Sequence, residues 1–297
     1  MEAISSLRQP TLERKPPYLW TMMALGIASI SSAAVLIKLC RAGPLAVAFY
    51  RLGLASLMLW PAFISQRGWR SFDGKKLAGA LLSGFFLAMH FGLWLYSLEY
   101  TTVASSVVLV TLNPLFVGLL GWLFLGERVS WRLGAAIVLV IAGGLLIGGG
   151  ALQAGGRAMA GNLLALGGAL MASLYLLAGR RLRQGLGVVG YSTVCYTATS
   201  LILLAAGLAA GERLWGFDGR TWGLFLALAL GPQILGHTVF NWGLRFLPAS
   251  RIAMMIVAEP IGATVLAFLL LGQAPTPGEI AGGILILGAV YLSATAA

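Results

Sequence analysis

LEYTTVASSVVLVTLNPLFVGLLGWLFLGE, residues 98–127, and LRFLPASRIAMMIVAEPIGATVLAFLLLGQ, residues 244–273, decide how this chain is read. At an offset of 146, Leu98, Pro114, Leu120, Leu123, Leu125 and Gly126 recur as Leu244, Pro260, Leu266, Leu269, Leu271 and Gly272. Asn113 then aligns with Glu259. An offset near 147 brings His90 onto His237, and Ala24-Leu25-Gly26 resembles Ala165-Leu166-Gly167 at an offset of 141. Offsets that drift in this way belong to a diverged duplication whose loops differ in length.

Outward from these stretches the chain is a succession of apolar runs. A spanning helix needs about 20 mostly apolar residues. Ten runs qualify: 18–39, 44–65, 76–98, 102–125, 131–150, 160–179, 188–210, 221–244, 250–271 and 277–296. Of the 297 residues 59% are hydrophobic and only 10% are charged. An ordinary soluble domain carries about 25% charged residues, and a water-facing surface could not be covered with so few. Strands of a membrane barrel would be about half this length and would alternate in polarity, so helices remain. The run from Tyr18 to Leu39 is longer than the apolar core of a signal peptide, and it reads as a retained helix.

The expected fold is therefore all-α and integral to the membrane, with ten transmembrane helices as two inverted five-helix repeats. A tail over 1–17 precedes a first repeat at 18–150 and a second at 158–297. Five is odd, so the second repeat enters the membrane from the opposite side. Inverted halves can exchange conformations and open to either face at similar energy.

The net charge of +11 is spread through short clusters between apolar runs, not over a folded basic surface. It marks membrane sidedness and not a nucleic-acid partner. On the side of the termini and the even-to-odd loops lie 14 basic residues, among them Lys75, Lys76, Arg180, Arg181 and Arg183. The opposite side holds five: Lys38, Arg41, Arg157, Arg213 and Arg220. Both termini are thus expected in the cytoplasm. Trp20, Trp60, Trp131 and Trp222 fall at helix ends, where an interfacial aromatic belt belongs.

Polar side chains deep in a bilayer are costly, and each needs a partner or a water-filled cavity. Glu259 precedes Pro260 in helix 9. It can bind an ammonium group, accept a proton, pair with a basic residue, or be a structural carboxyl. Asn113 takes the equivalent place in helix 4 and cannot titrate. His90, Trp94 and Ser97 share one face of helix 3; His237 and Asn241 repeat the i, i+4 relation on helix 8. Arg51 lies about 10 Å into helix 2, counted from Pro44, and can either clasp a carboxylate or snorkel. Tyr50, Tyr175 and Ser32 are further candidates as substrate-binding or cavity-lining residues. Gly143, Gly144 and Gly148 in helix 5, with Gly282 and Gly283 in helix 10, suit close helix packing. Two cysteines, Cys40 and Cys195, make no framework. The chain shows no zinc-protease or serine-hydrolase motif, so an enzyme is not expected and neither is a cofactor or a metal.

Asn113-Pro114 leading to Leu125-Gly126-Glu127, and Glu259-Pro260 leading to Leu271-Gly272, resemble the paired EamA repeats of the drug/metabolite transporter superfamily. The second copy has Gln273 where the first has Glu127. Overall likeness is greatest to the YddG-type aromatic amino-acid exporters. The resemblance implies a central cavity lined by helices 1–4 and 6–9, with helices 5 and 10 peripheral. It implies an exporter in the bacterial inner membrane, working by alternating access on amino acids, aromatic and other neutral ones. Other metabolites or lipophilic cations are the alternative cargo. Its partners would be that small molecule and the surrounding lipid. The sequence leaves the oligomeric state open.

Overall fold

Lipid offers the backbone no hydrogen-bond partner, so every crossing must satisfy its own peptide groups. The computed structural model describes residues 14–101, 103–125, 131–148, 156–272, 274 and 277–294. Residues 1–13 of the N-terminal tail lie outside the described residues, as do Gly126, Glu127, Arg128 and Gln273. Among the described residues every long element is helical. α1 is Leu19–Leu39, α2 Pro44–Ser65, α3 Gly74–Tyr100, and α4 runs as Val103–Val110 and Asn113–Leu125. α5 is Trp131–Gly148, α6 Gly156–Leu182 and α7 Val188–Ala209. α8 is Gly219–Gly243, α9 runs as Ala249–Ile256 and Glu259–Leu271, and α10 is Pro277–Ala294. α1, α2, α3, α6, α7, α8 and α9 are each long and apolar enough to cross a membrane, and α5 and α10 carry shorter apolar cores.

Helix starts repeat between the halves. Gly43 precedes α2 and Gly187 precedes α7, both with extended backbone. α3 and α8 are capped by aspartates: Asp73 accepts from the Lys76 N–H at 2.8 Å, and Asp218 from the Thr221 N–H at 2.8 Å. These are true N-caps, set in Phe72-Asp73-Gly74 and Phe217-Asp218-Gly219. The bonds hold both carboxyls below the usual carboxylate range, through the Lys76 N–H for Asp73 and through the Thr221 hydroxyl and N–H for Asp218.

The packing shows the duplication directly. α3 lies along α6 and α8 along α1; α2 packs on α7, α5 on α10, and α4 on α9. α7 also touches α3, and α8 touches α2. Exchanging each helix for the one five places along turns every pair into another of these pairs, as two interlocked inverted repeats require. Matched glycines serve matched contacts: Gly26 of α1 faces the Phe240 ring of α8, and Gly167 of α6 faces Leu93 of α3. At the α5–α10 seam a methyl on Gly143 would stand 2.7 Å from the Gly282 carbonyl oxygen, so small residues set the approach. Leu119, Leu123, Val138, Leu163, Leu269 and Ile284 project outward as an apolar surface fit for lipid. Trp20, Trp131 and Trp222 are exposed, whereas Trp60 turns inward and donates to the Thr197 hydroxyl.

One end of the bundle, opposite the termini, carries a clamp between the halves. Glu212, in the loop after α7, accepts from the N–H groups of Leu45 at 3.1 Å and Ala46 at 3.2 Å, and from the Tyr96 hydroxyl at 2.9 Å. A carboxylate is favoured there by the partial positive charge of the α2 N-terminus. Gly43 leaves the room, because a methyl group at that position would collide with the Glu212 carboxylate. The matching Gly187 has open space around it. Gly43→Ala should therefore displace Glu212 and lower the melting temperature in detergent, by the equivalent of about 1–2 kcal/mol. Gly187→Ala should leave it unchanged.

Candidate functional site

The site begins with two prolines. Pro114 has no N–H to give the Val110 carbonyl, and Pro260 none to give that of Ile256. Each helix accordingly turns out of α geometry just before its proline, at Thr111–Leu112 in α4 and at Val257–Ala258 in α9. Each resumes with the polar residue first, Asn113 or Glu259. Val110 and Ile256, whose carbonyls lose their α-helical partners, border one cavity together with Asn113 and Glu259. The space between these residues amounts to about 650 Å³ when the open solvent at its mouth is counted.

Seven sequence candidates meet around it: Arg51, His90, Trp94, Asn113, Tyr175, His237 and Glu259. Arg51 is buried, and its Nε donates to Gln233 Oε1 at 2.9 Å. Its guanidinium lies 4.4 Å from the Phe91 ring centroid, a cation–π contact. His90 Nδ1 is 3.0 Å from the Gly168 carbonyl oxygen. A carbonyl only accepts, so Nδ1 carries the proton and Nε2 is the free nitrogen. Trp94 stacks on His90 with centroids 6.1 Å apart and planes at 10°. Tyr175 presents its ring while its hydroxyl donates to Asn241 Oδ1 at 2.7 Å. Glu259 has no hydrogen bond or ion pair among the described residues, and it stands close enough to Arg51 for the two charges to interact.

α8 reaches this site by an unusual winding. Ala229–Thr238 is π-helical, with Pro232 inside it. Asp73 to Asp218 is an offset of 145, whereas His90 to His237 is 147, so α8 holds two residues more than α3 between these points. An i→i+5 turn takes up one residue more than an α turn, and the π stretch absorbs the surplus. It holds Gln233 against Arg51 and His237 at the cavity.

Three candidates lie elsewhere. Tyr50 is pinned in an aromatic cluster, stacked on Phe225 at 4.6 Å, with its hydroxyl donating to the Leu214 carbonyl at 2.7 Å. Ser32 bonds back to the Ser29 carbonyl at 2.7 Å, at the point where α1 leaves regular α geometry. Asn241 is fully buried one layer behind the cavity, where its Nδ2 donates to Ser192 Oγ and the Tyr196 hydroxyl. Ser97, the last member of the α3 stripe, is buried and bonded to the Trp94 carbonyl and to Ser106. Among the described residues α7 supplies no lining side chain, unlike the expected lining by helices 1–4 and 6–9, and Tyr191 and Tyr196 belong to the buried core. Sequence reasoning passed over Gln233, Phe91 and Thr111. Gln233 carried the usual signal, a polar side chain deep in a span beside a proline.

The chain matches the EamA-like transporter family twice, over residues 15–149 and 159–295. It is 26% identical to an uncharacterized transporter, YdfC of Bacillus subtilis (strain 168), over 82% of this chain and 79% of that protein. It is 27% identical to a probable terminal-alkyne amino-acid exporter of Streptantibioticus cattleyicolor, over 65% of this chain and 64% of the other. A solved crystal structure shares the fold with a TM-score of 0.78, at 19% identity over 95% of this chain and 97% of the other.

Asn241→Leu should leave the Tyr175 and Tyr196 hydroxyls and Ser192 short of partners. Thermal unfolding in detergent should register a loss on the order of 3 kcal/mol. A stability equal to wild type would return Asn241 to the list of cavity residues.

Proposed function

The chain belongs to the EamA-like transporter family, and from that premise we propose that it exports amino acids, aromatic and other neutral ones, from the cytoplasm by alternating access. The observation that carries this reading is the meeting of two proline-broken helices, α4 and α9, at one largely apolar cavity with a few polar groups, between inverted halves. Broken helices are tolerated in lipid only where protein or a cavity receives the freed backbone groups, and transporters place substrate at such breaks. The rocking units would be the repeats at 18–150 and 158–297. The aromatic wall of Trp94 and Tyr175, and the likeness to a protein named as an amino-acid exporter, favour amino acids over lipophilic cations. Arg51 on the wall points the same way, since it repels a cation that has no carboxylate. The basic side of the bundle faces the cytoplasm, as the distribution of Lys and Arg indicates.

Purified protein in liposomes, loaded with one unlabelled amino acid at a time, tests the proposal. Saturable counterflow of labelled phenylalanine is the expected result, and its absence across the whole amino-acid panel would sink it. Trp94→Ala should raise KM for aromatic amino acids about fivefold, the equivalent of one lost ring contact of about 1 kcal/mol, and raise it less for alanine. An equal rise for all would mark a packing defect.

The sidedness has its own check. In a Cys40→Ser background, Ser5→Cys should resist an impermeant maleimide in intact cells and react after lysis. Reaction in intact cells would place the termini outside.

A further inference from the structure

Among the buried polar atoms that have no hydrogen-bond partner among the described residues are Arg51 Nη1, Trp94 Nε1 and Asn113 Oδ1. All three belong to residues that line the same cavity. Arg51, Trp94 and Asn113 are each at most 3% exposed, so bulk water does not complete them. Buried polar groups are almost always bonded, and an exception asks for a missing partner. The kinds of atom say what that partner is. A guanidinium N–H and an indole N–H only donate, so what meets them must accept. Asn113 Oδ1 and the unpaired Glu259 carboxylate only accept, so what meets them must donate.

We propose that the cavity takes its substrate as a zwitterion. The carboxylate lies on Arg51 Nη1 and Trp94 Nε1, and the ammonium lies between Glu259 and Asn113 Oδ1. This rests on the transport reading above and adds a polarity to it. The two ends of the clamp have different supports. Arg51 is held by Gln233 at its Nε and by the Phe91 face, and its Nη1 is a buried donor without a partner among the described residues. Glu259 and Asn113 are the matched residues that restart α9 and α4 after their breaks. The ammonium thus sits where both repeats converge, and movement of either repeat changes its contacts. The carboxylate is read by α2 and α3, both from the first repeat. A primary amine without a carboxylate leaves the donors unpaired beside a buried cation, and a carboxylic acid without an amine leaves Glu259 facing nothing.

The test uses the full chain in detergent and in liposomes, with three probes of one shape: phenylalanine, phenethylamine, which lacks the carboxylate, and 3-phenylpropionate, which lacks the amine. Binding is read by ligand-induced thermal shift and transport by counterflow. Wild type should prefer phenylalanine to either half-probe by tenfold or more. Arg51→Gln should shrink the phenylalanine-to-phenethylamine ratio at least tenfold and leave the phenylalanine-to-phenylpropionate ratio near its wild-type value. Glu259→Gln should do the reverse. Trp94→Phe keeps the ring and removes the N–H, and it should act in the same sense as Arg51→Gln but more weakly. Both variants changing both ratios alike, or neither ratio moving, would overturn the clamp. If phenylalanine binds with these preferences yet no counterflow occurs, the clamp stands and the transport reading falls. If none of the three probes binds to wild type, the clamp is wrong.

Discussion

The structure depends on a constraint set by the solvent. Hydrocarbon cannot accept a hydrogen bond, so a spanning helix can be interrupted only where something inside the protein takes over. This chain interrupts two helices, α4 and α9, at equivalent prolines, and both interruptions face the same interior space. The rest of the architecture serves that arrangement. α5 and α10 pair at the edge, where glycine lets them approach closely. α3 packs along α6 and α8 along α1, while α2 and α7 pack on each other.

Within the cavity, electrostatics and hydrogen bonding place the same demand on whatever enters. Arg51 is a full charge with one side satisfied and one side open. A buried charge of this kind is tolerated when it is partnered, and it becomes costly when the partner is removed. Glu259 offsets it across the space without contacting it. A direct ion pair would have been the cheaper static solution. Holding the two charges apart leaves a gap that a molecule with both signs can fill.

The fold was legible because the signal is coarse and repeated. Ten apolar runs, a charge asymmetry between loops and a matched Pro-to-Leu-Gly pattern all report backbone and solvent, which sequence records directly. Phe72-Asp73-Gly74 against Phe217-Asp218-Gly219 is a cleaner repeat marker than any of these, and it sits at the helix starts, outside the apolar pattern of the spans. The site was half legible. A polar residue in a span announces that it avoids lipid, but not whether its partner is another side chain or a cavity. His90 and Asn241 look alike in sequence, yet one lines the cavity and the other is bonded behind it. Tyr50 is decided by a loop more than 160 residues away, through the Leu214 carbonyl. The π winding of α8 was not visible either, although the two-residue slip between Asp218 and His237 was its trace.

The differences between the halves matter as much as the likeness. Two identical inverted repeats would give the two access states equal energy, and any bias must come from positions where they diverge. Here the α2 N-terminus is clamped by Glu212 over Gly43, while the matching α7 N-terminus after Gly187 has no such carboxylate against it among the described residues. Charge-assisted bonds of this kind contribute about 1–3 kcal/mol when partly buried. A bias of 1.4 kcal/mol is tenfold in population, enough to favour one face without trapping the protein there. α8 differs from α3 by its π stretch, and α9 from α4 by a carboxylate in place of an amide. Each change lies in the second repeat or its loops, while Arg51 and Trp94 lie in the first. Under the proposed alternating access the duplication would supply the motion, and divergence of the second copy would supply the preferred direction and half of the binding chemistry.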